Sequence, residues 1–192
     1  MQIQYILSVC LLAVLVATVL IRAAGLRRRG VRALVFGQTD KTDYILIPFI
    51  LLIFYTVLAN AFRLPVWRAL VFPFWPVALP GWAGLALCAA AVAGFIMTVR
   101  HFGESFRVGI DTDKPGKLVT GGMFSVSRNP IYVFFLLFFA GLFLVHRNAV
   151  VLVGWAALAL AIHRQILREE KFMAAHYGAD YEVYRKKVRR YL

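Results

Sequence analysis

Long stretches without charge constrain this chain more than any other feature. Ile3 to Ile21 contains no charged residue, and neither do Tyr44 to Phe62 and Gly81 to Val99. A helix needs about 20 apolar residues to cross the hydrocarbon core of a bilayer, so each of these runs can span a membrane. The chain is 61% hydrophobic and 16% charged, whereas soluble domains are roughly 45–50% apolar and about 25% charged. We therefore expect an integral membrane protein.

Two further apolar runs lie close together near the end of the chain. Ile131 to Val145 and Ala149 to Ile162 are separated only by His146, Arg147 and Asn148. So short a connection predicts two antiparallel helices in a tight hairpin. The sequence therefore predicts an all-α membrane fold with five transmembrane helices.

The segments between the spans differ in character. Arg63 to Pro80 contains four prolines, which exclude a continuous helix and favour an interfacial stretch with Trp67 and Trp75 at headgroup level. From His163 onward the pattern becomes amphipathic, which predicts a helix that leaves the membrane, a turn near Gly178 and a short closing helix. A single domain is expected over residues 1–192. Residues 1–99 supply the first three spans, and residues 100–192 supply a polar loop, the hairpin and the tail.

The basic residues predict the orientation of the spans. Of the 22 lysines and arginines, 19 fall in the first loop, the polar loop and the tail. The positive-inside rule places these segments in the cytoplasm, so five spans put the N-terminus outside. No basic segment precedes the first apolar run, so we expect that run to be retained as a span, not cleaved as a signal peptide. The tail is then a cytoplasmic amphipathic helix.

Several other functions are disfavoured. The net charge is +13, but the basic residues lie between apolar spans and do not form the long basic face that nucleic-acid binding needs. No nucleic-acid partner is therefore expected. The tyrosines of the tail favour a helix at an anionic membrane surface over stacking on single-stranded nucleic acid. Cys10 and Cys88 lie in apolar runs, and the four histidines have no ligand spacing, so no metal site is expected. The glycine pair Gly121 and Gly122 forms no phosphate-binding or dinucleotide-binding signature.

The polar residues in front of the hairpin allow two interpretations. Asn129 is suited to cap a helix whose first residue is Pro130. The first interpretation is a capped transmembrane helix with Arg128 reaching toward the interface. The second is an anion site, because the N–H groups at a helix N-terminus and Arg128 both favour negative charge. The spacing of these residues does not decide between the two.

Two carboxylates follow the last span directly. Glu169 and Glu170 can lie on a solvated helix face, or they can accept hydrogen bonds from hydroxyls such as those of a ribose. Because a tight hairpin returns the chain to the side where it began, these residues should lie beside the polar segment that precedes Tyr132. The sequence thus predicts one pocket at the membrane surface.

Two blocks of sequence around the hairpin carry a family resemblance. They are "RVGIDTDKPGKLVTGGMFSVSRNPIY", Arg107 to Tyr132, and "REEKFMAAHYGADYEVYRKKVRR", Arg168 to Arg190. In order and spacing they resemble the isoprenylcysteine carboxyl methyltransferase and phospholipid methyltransferase superfamily of membrane enzymes. The resemblance implies S-adenosylmethionine as the cofactor, bound on the cytoplasmic side. It also implies membrane lipids as neighbours and a lipid-like or apolar acceptor.

The resemblance also implies roles for single residues. The backbone of Lys117, Leu118 and Val119 would contact the cofactor, and Phe124 would pack on its adenine or beside it. Glu169 would bind the ribose or the amino group, with Glu170 next to it. The residues expected at the methionine end are Asn129, Pro130, Ile131 and Tyr132, and the residues expected to act in catalysis are Arg128, Asn129 and Tyr132.

Two departures from the family pattern bear on the acceptor. Asn129 stands where the eukaryotic motif has histidine, and Gln165 aligns with the arginine that would bind a substrate carboxylate. Gln165 is flanked by Arg164 and lies one turn from Arg168, and these three are the expected substrate-binding residues. A prenylcysteine carboxylate, a phospholipid, an amine and a thiol all remain candidate acceptors.

Two alternatives belong to other functional classes. A membrane reductase of the sterol-reductase type would use NADPH and would need clustered arginines for the 2′-phosphate of that cofactor. A small non-enzymatic membrane scaffold would tolerate replacement of Asn129, Tyr132 and Glu169.

Overall fold

The computed structural model of the protein describes residues 1–29, 44, 46–67, 71–103 and 116–192. The expected first loop from residue 30 to 43, and residues 107–115 of the first resemblance block, lie outside these described residues. Within the described part the fold is all-helical, and an isolated bridge between Ser127 and Arg189 is its only strand-like pairing. The helices are α1 (Gln2–Arg28), α2 (Leu46–Phe62), α3 (Leu79–Phe102), a 3-10 turn η1 (Gly122–Ser125), α4 (Pro130–His146) and α5 (Ala149–Lys187).

The lengths of these helices bear on the expected five spans. Three segments are long and apolar enough to cross a membrane, namely α1, α3 and residues Ala149–Tyr177 of α5. Helices α2 and α4 are apolar but have 17 residues each, which corresponds to about 25 Å of helix against roughly 30 Å of hydrocarbon. Three of the five expected helices thus meet the length of a full span.

Helices α3 and α4 form the most extensive helix pair, and glycines allow their close approach. A methyl group added at Gly84 would lie 2.6 Å from the carbonyl oxygen of Gly141, and one added at Gly94 would overlap the ring of Phe134. Small residues at such an interface let two backbones come together, and van der Waals packing then holds membrane helices to each other. The Ala- and Gly-rich composition of the third run therefore allows close helix packing.

The hairpin between α4 and α5 ends in a buried polar turn. Arg147 adopts a left-handed backbone conformation with φ 55°, and its side chain is fully buried. Its guanidinium donates to the carbonyl of Val77 and to the thioether of Met1. Asn148 caps α5, since its Oδ1 accepts a hydrogen bond of 3.0 Å from the N–H of Val151. The expected tight hairpin is present, and its tip is tied to the start of α1.

His146 connects the same turn to α1 and α2. The hydroxyl of Ser8 donates to the carbonyl of Tyr5, so it accepts from Nε2 of His146 at 3.1 Å. The amide nitrogen of Asn60 donates to Nδ1 of the same ring at 2.9 Å. In a neutral imidazole both ring nitrogens of His146 thus have a hydrogen-bond partner, one as donor and one as acceptor. The turn therefore joins the two N-terminal helices to the hairpin.

The predicted irregular segments agree with the structure where it describes them. Residues 64–67 and 72–77 are not helical, and the exposed Trp67 lies in the first of these stretches. Helix α5 is interrupted at Gly178, whose φ of 52° and ψ of −123° are not helical. The short closing helix beyond Gly178 is therefore confirmed, and it directs the last residues of the chain back toward the start of α4.

Candidate functional site

The first turn of α4 and the middle of α5 meet at one end of the bundle, which we call the site end. Glu169 and Glu170 lie on α5 at this end. Successive residues of an α-helix point about 100° apart, because a turn contains 3.6 residues. The two carboxylates therefore face different neighbours and belong to two separate clusters.

Glu170 lies between two guanidinium groups. Its Oε1 accepts hydrogen bonds of 3.2 and 2.7 Å from Nε and Nη2 of Arg128, and its Oε2 accepts bonds of 3.0 and 2.8 Å from Nε and Nη2 of Arg190. The side-chain exposure is 9% for Arg128 and Glu170 and 37% for Arg190. Asn129 adds a longer contact of 3.4 Å from Nδ2 to Oε1. The carboxylate thus connects the loop before α4 with the segment after α5.

Backbone pairing reinforces that connection. The N–H of Arg128 donates to the carbonyl of Arg189 at 2.9 Å, and the hydroxyl of Ser127 donates to the carbonyl of Arg190 at 3.3 Å. Nη1 of Arg128 also donates to the carbonyl of Val188 at 2.7 Å. Residues 188–190 therefore run beside residues 127–129 as a short parallel pair, and the last residues of the chain form one wall of the site.

Glu169 belongs to the second cluster, which faces the first turn of α4. The hydroxyl of Tyr132 donates to its Oε1 at 2.6 Å, and Nε2 of Gln165 donates to the same oxygen at 2.8 Å. Arg168 donates to Oε1 of Gln165. A carboxylate, a phenol, an amide and a guanidinium thus meet within one helical turn at the site end. Arg164, the remaining residue expected at the acceptor, is exposed on α5.

The start of α4 differs from the prediction in one respect. The helix does begin at Pro130 with Asn129 at the N-cap, but the side chain of Asn129 makes no cap hydrogen bond. Its Nδ2 donates instead to the carbonyl of Arg190 at 3.1 Å. The first N–H groups of a helix point out of its N-terminus and need external acceptors. At α5 the side chain of Asn148 is such an acceptor, whereas at α4 the side chain of Asn129 is turned away.

The loop before α4 packs on the end of α3 and on the closing helix. Lys117 is exposed, whereas Leu118 and Val119 are half-buried in a segment without regular secondary structure. Phe124 is buried, with its ring 4.7 Å from that of Phe102, so the ring partner observed for Phe124 is a neighbouring phenylalanine. The hydroxyl of Tyr184 donates to the carbonyl of Phe124 at 2.6 Å.

Two tyrosines of the closing helix are electrostatically distinctive. Burial raises the pKa of Tyr184 to about 12. Burial also raises the pKa of Tyr181, and the negative charge of Glu170 adds to that effect. Both phenols are therefore neutral over the physiological range. Tyr184 supports the loop through its hydrogen bond to Phe124, and the ring of Tyr181 packs against that of Tyr184.

The sequence anticipated much of this constellation. It placed the residues before the hairpin beside those after the last span, and the structure brings Tyr132, Gln165 and Glu169 together. In one of the two interpretations Arg128 serves an anionic ligand, whereas the anion that it contacts in the structure is Glu170.

Arg190 and Tyr184 are site residues to which the sequence assigned no role. The signal that could have found Arg190 is charge. The tail is strongly basic, and Glu170 is one of only nine acidic residues in the chain, so a basic partner from the tail was to be expected for it.

The fold and site define a class of protein. Apolar helices of membrane-spanning length carry a polar site at one end, and among the described residues no group of three or more metal-ligating side chains is present. Residues 79–180, more than half of the chain, match the family model described as phospholipid methyltransferase. The chain belongs to this family and is a membrane methyltransferase. No curated protein matches the chain, and no solved structure does.

Proposed function

We propose that the protein transfers a methyl group from S-adenosylmethionine, bound at the site end, to a lipid-like acceptor. The observation that carries the proposal is the juxtaposition of Glu169 and Tyr132 with the N-terminus of α4. The family match supports the reaction class. The predicted orientation puts this site in the cytoplasm, where the cofactor is available.

The residues present fit the chemical groups of S-adenosylmethionine. Its carboxylate would be bound by the N–H groups in the first turn of α4, which the side chain of Asn129 does not cap. Its ammonium or ribose hydroxyls would donate to Glu169. The backbone of Leu118 and Val119 would contact the remainder, and Gly121 leaves space there, since a methyl group added to it would meet no atom within 4 Å.

Methyl transfer places modest chemical demands on the protein. When bound, the cofactor supplies a methyl group activated by its attachment to a sulfonium. The contribution of Tyr132 and Glu169 is to hold the donor in line with the acceptor, because alignment supplies much of the rate enhancement. The apolar first turns of α4 would exclude water from the path of the methyl group. Arg128 and Asn129 contribute by fixing the loop that enters α4.

An apolar cavity supports an acceptor with a hydrocarbon chain. It has a volume of about 190 Å³, and every lining residue is apolar. On α4 its lining includes Phe135 and Phe139, which follow Ile131 at intervals of four residues and therefore share its helix face. That face runs from the site end along α4 to this partly open cavity. The remaining lining residues belong to α1 and α2: Leu12, Leu15, Val16, Val19, Leu20, Ile50 and Phe54.

The polar end of the acceptor would lie near Gln165, Arg168 and Arg164. Gln165 is hydrogen-bonded to Glu169, so an acceptor group that contacts Gln165 also borders the proposed cofactor site. An uncharged amide at this position favours an amine or a lipid headgroup over the carboxylate of a prenylcysteine, because an amide offers a carboxylate neither the positive charge nor the two-point contact of a guanidinium.

Calorimetric titration of the detergent-purified protein tests the cofactor. We expect S-adenosylmethionine to bind and NADPH not to bind, because Arg128 and Arg190, the paired arginines at the site, are both engaged by Glu170. Binding of NADPH alone would favour the reductase. A folded protein that binds neither would contradict the proposed function.

The same titration applied to variants tests the site. Glu169→Ala should weaken S-adenosylmethionine binding by about tenfold or more, the loss expected for a charge-assisted hydrogen bond of roughly 1.5–3 kcal/mol, with little change in melting temperature. Glu182→Ala is the matched control, since Glu182 is a partly exposed glutamate of the same helix whose partner is Arg185. Equal loss of binding and stability in Glu169→Ala would indicate a structural role. Methyl transfer to phospholipids, prenylcysteines and thiols then identifies the acceptor.

A further inference from the structure

Both carboxylate oxygens of Glu170 are already hydrogen-bonded to arginine side chains of the protein, whereas a ligand-binding carboxylate needs an oxygen that a ligand can reach. We propose that Glu170 and Arg190 are positioning residues, and that the segment 188–192 acts as a clamp that holds the loop before α4 in its binding-competent form. This inference rests on the proposed function, because it assigns the two neighbouring glutamates to different tasks at the same site. Glu169 binds the cofactor, and Glu170 holds the loop that completes the site.

The hydrogen-bonding capacity of Glu170 is filled. An ionised carboxylate offers about four lone-pair positions. Two donors of Arg128 and Nδ2 of Asn129 occupy Oε1, and two donors of Arg190 occupy Oε2. The side chain is 9% exposed. A cofactor hydroxyl or ammonium would have to displace a guanidinium from this carboxylate, which makes Glu170 unsuited to ligand binding.

The clamp controls the N-terminus of α4 through Asn129. In a free helix the side chain of an N-cap asparagine accepts from the N–H groups of the first turn. Here Asn129 donates to the carbonyl of Arg190 and to Glu170, and it makes no cap bond. The clamp thus keeps the protein's own side chain away from the N–H groups proposed to bind the cofactor carboxylate.

The clamp segment lies beyond the family match. The matched segment ends at residue 180, whereas Arg190 and the carbonyl groups that bind Ser127, Arg128 and Asn129 lie at residues 185–190. The match therefore covers Glu170 but not the guanidinium that occupies one of its oxygens.

Amide hydrogen exchange of the ligand-free protein tests the clamp without relying on cofactor binding. The N–H of Arg128 donates to the carbonyl of Arg189, so peptides covering residues 122–130 should exchange slowly in the wild type. In Arg190→Ala we expect exchange there to rise by about tenfold, since the loss of one coupled contact weakens the hold on the paired segment. Arg185→Ala is the matched control, because Arg185 forms an exposed pair with Glu182 in the same helix. It should leave exchange unchanged.

Arg190 is a better test position than Glu170 or Arg128. It is 37% exposed, and in its absence Arg128 still pairs with Glu170, so the variant avoids leaving a buried charge without a partner. Arg190→Lys, which keeps the charge but loses the two-point contact, should give intermediate exchange. Millimolar guanidinium should slow exchange again in Arg190→Ala but not in Arg185→Ala.

Cofactor titration completes the test. Arg190→Ala should raise the dissociation constant for S-adenosylmethionine by about tenfold, the equivalent of one coupled contact, while its melting temperature stays close to that of Arg185→Ala. Wild-type exchange rates in Arg190→Ala would overturn the clamp, whatever the cofactor. Absence of S-adenosylmethionine binding in the wild type would overturn the proposed function, and the exchange data would still decide whether the clamp exists.

Discussion

Adjacent residues of one helix can serve unrelated purposes at this site. Glu169 contacts the phenol of Tyr132 across the hairpin, whereas Glu170 is held between the guanidinium groups of Arg128 and Arg190. In sequence the two are an undifferentiated acidic pair. Their separation of about 100° around the helix axis places one beside the proposed ligand and the other inside the protein.

Tyr184 gives the site end a predictable response to alkaline pH. Burial raises its pKa to about 12 from the ordinary value of 10.0, so between these values the unfolded chain releases a proton that the folded chain retains. Stability should therefore be unaffected below pH 10 and should fall as the pH rises from about 10 to about 12. In Tyr184→Phe this decline should be smaller, although Tyr181, whose pKa burial also raises, should preserve part of it.

Thermal melting of the two proteins across that pH range measures the difference. At neutral pH, Tyr184→Phe should be destabilised by about 1 kcal/mol, because the carbonyl of Phe124 loses its hydrogen bond. Parallel melting curves at every pH would contradict this assignment.

At the level of the helices, the close packing of α3 against α4 requires glycine at particular contact positions. A methyl group added at Gly84 would collide with the carbonyl of Gly141, whereas one added at Gly25 of α1 would meet no atom within 4 Å. Alanine favours a helix over glycine by about 1 kcal/mol, so the two positions differ only in what surrounds them.

Substitution of these glycines separates packing from helix propensity. Gly84→Ala should destabilise the protein by roughly 1–3 kcal/mol, because the added methyl group would meet backbone that cannot rotate away. Gly25→Ala should be neutral or slightly stabilising. Melting of both variants in the same detergent measures this, and equal melting temperatures would show that the α3–α4 contact is looser than described.

The elements also show what the sequence could and could not predict. Uncharged runs and proline predicted the helices and the start of α4 correctly, because bilayer thickness and backbone sterics act locally. One of the two interpretations of Arg128 placed an anion beside it, and the structure places Glu170 there. Its partner could not be identified, since the pairing with Glu170 spans 42 positions and depends on the hairpin. The assignment of cofactor and acceptor residues remains a prediction.

For the whole molecule, the unequal distribution of lysine and arginine between the two ends of the helices predicts a single orientation in the membrane. Lys186 is exposed beyond the site end, and Val77 is exposed near the hairpin tip at the other end of the bundle. In a Cys10→Ser background, a membrane-impermeant maleimide should label Val77→Cys in intact spheroplasts. It should label Lys186→Cys only after permeabilisation. The reverse pattern would invert the predicted topology and place the site outside the cytoplasm.

The polar turn at the hairpin tip has a consequence for biogenesis. His146 and Arg147 carry groups that are costly to leave unsatisfied within a membrane, and their side-chain partners Ser8, Asn60 and Met1 all come from the N-terminal segment that forms α1 and α2. Those helices precede the hairpin in the chain. A translocating hairpin therefore arrives at hydrogen-bond partners that were synthesised before it, and the order of the helices along the chain is also a workable order of assembly.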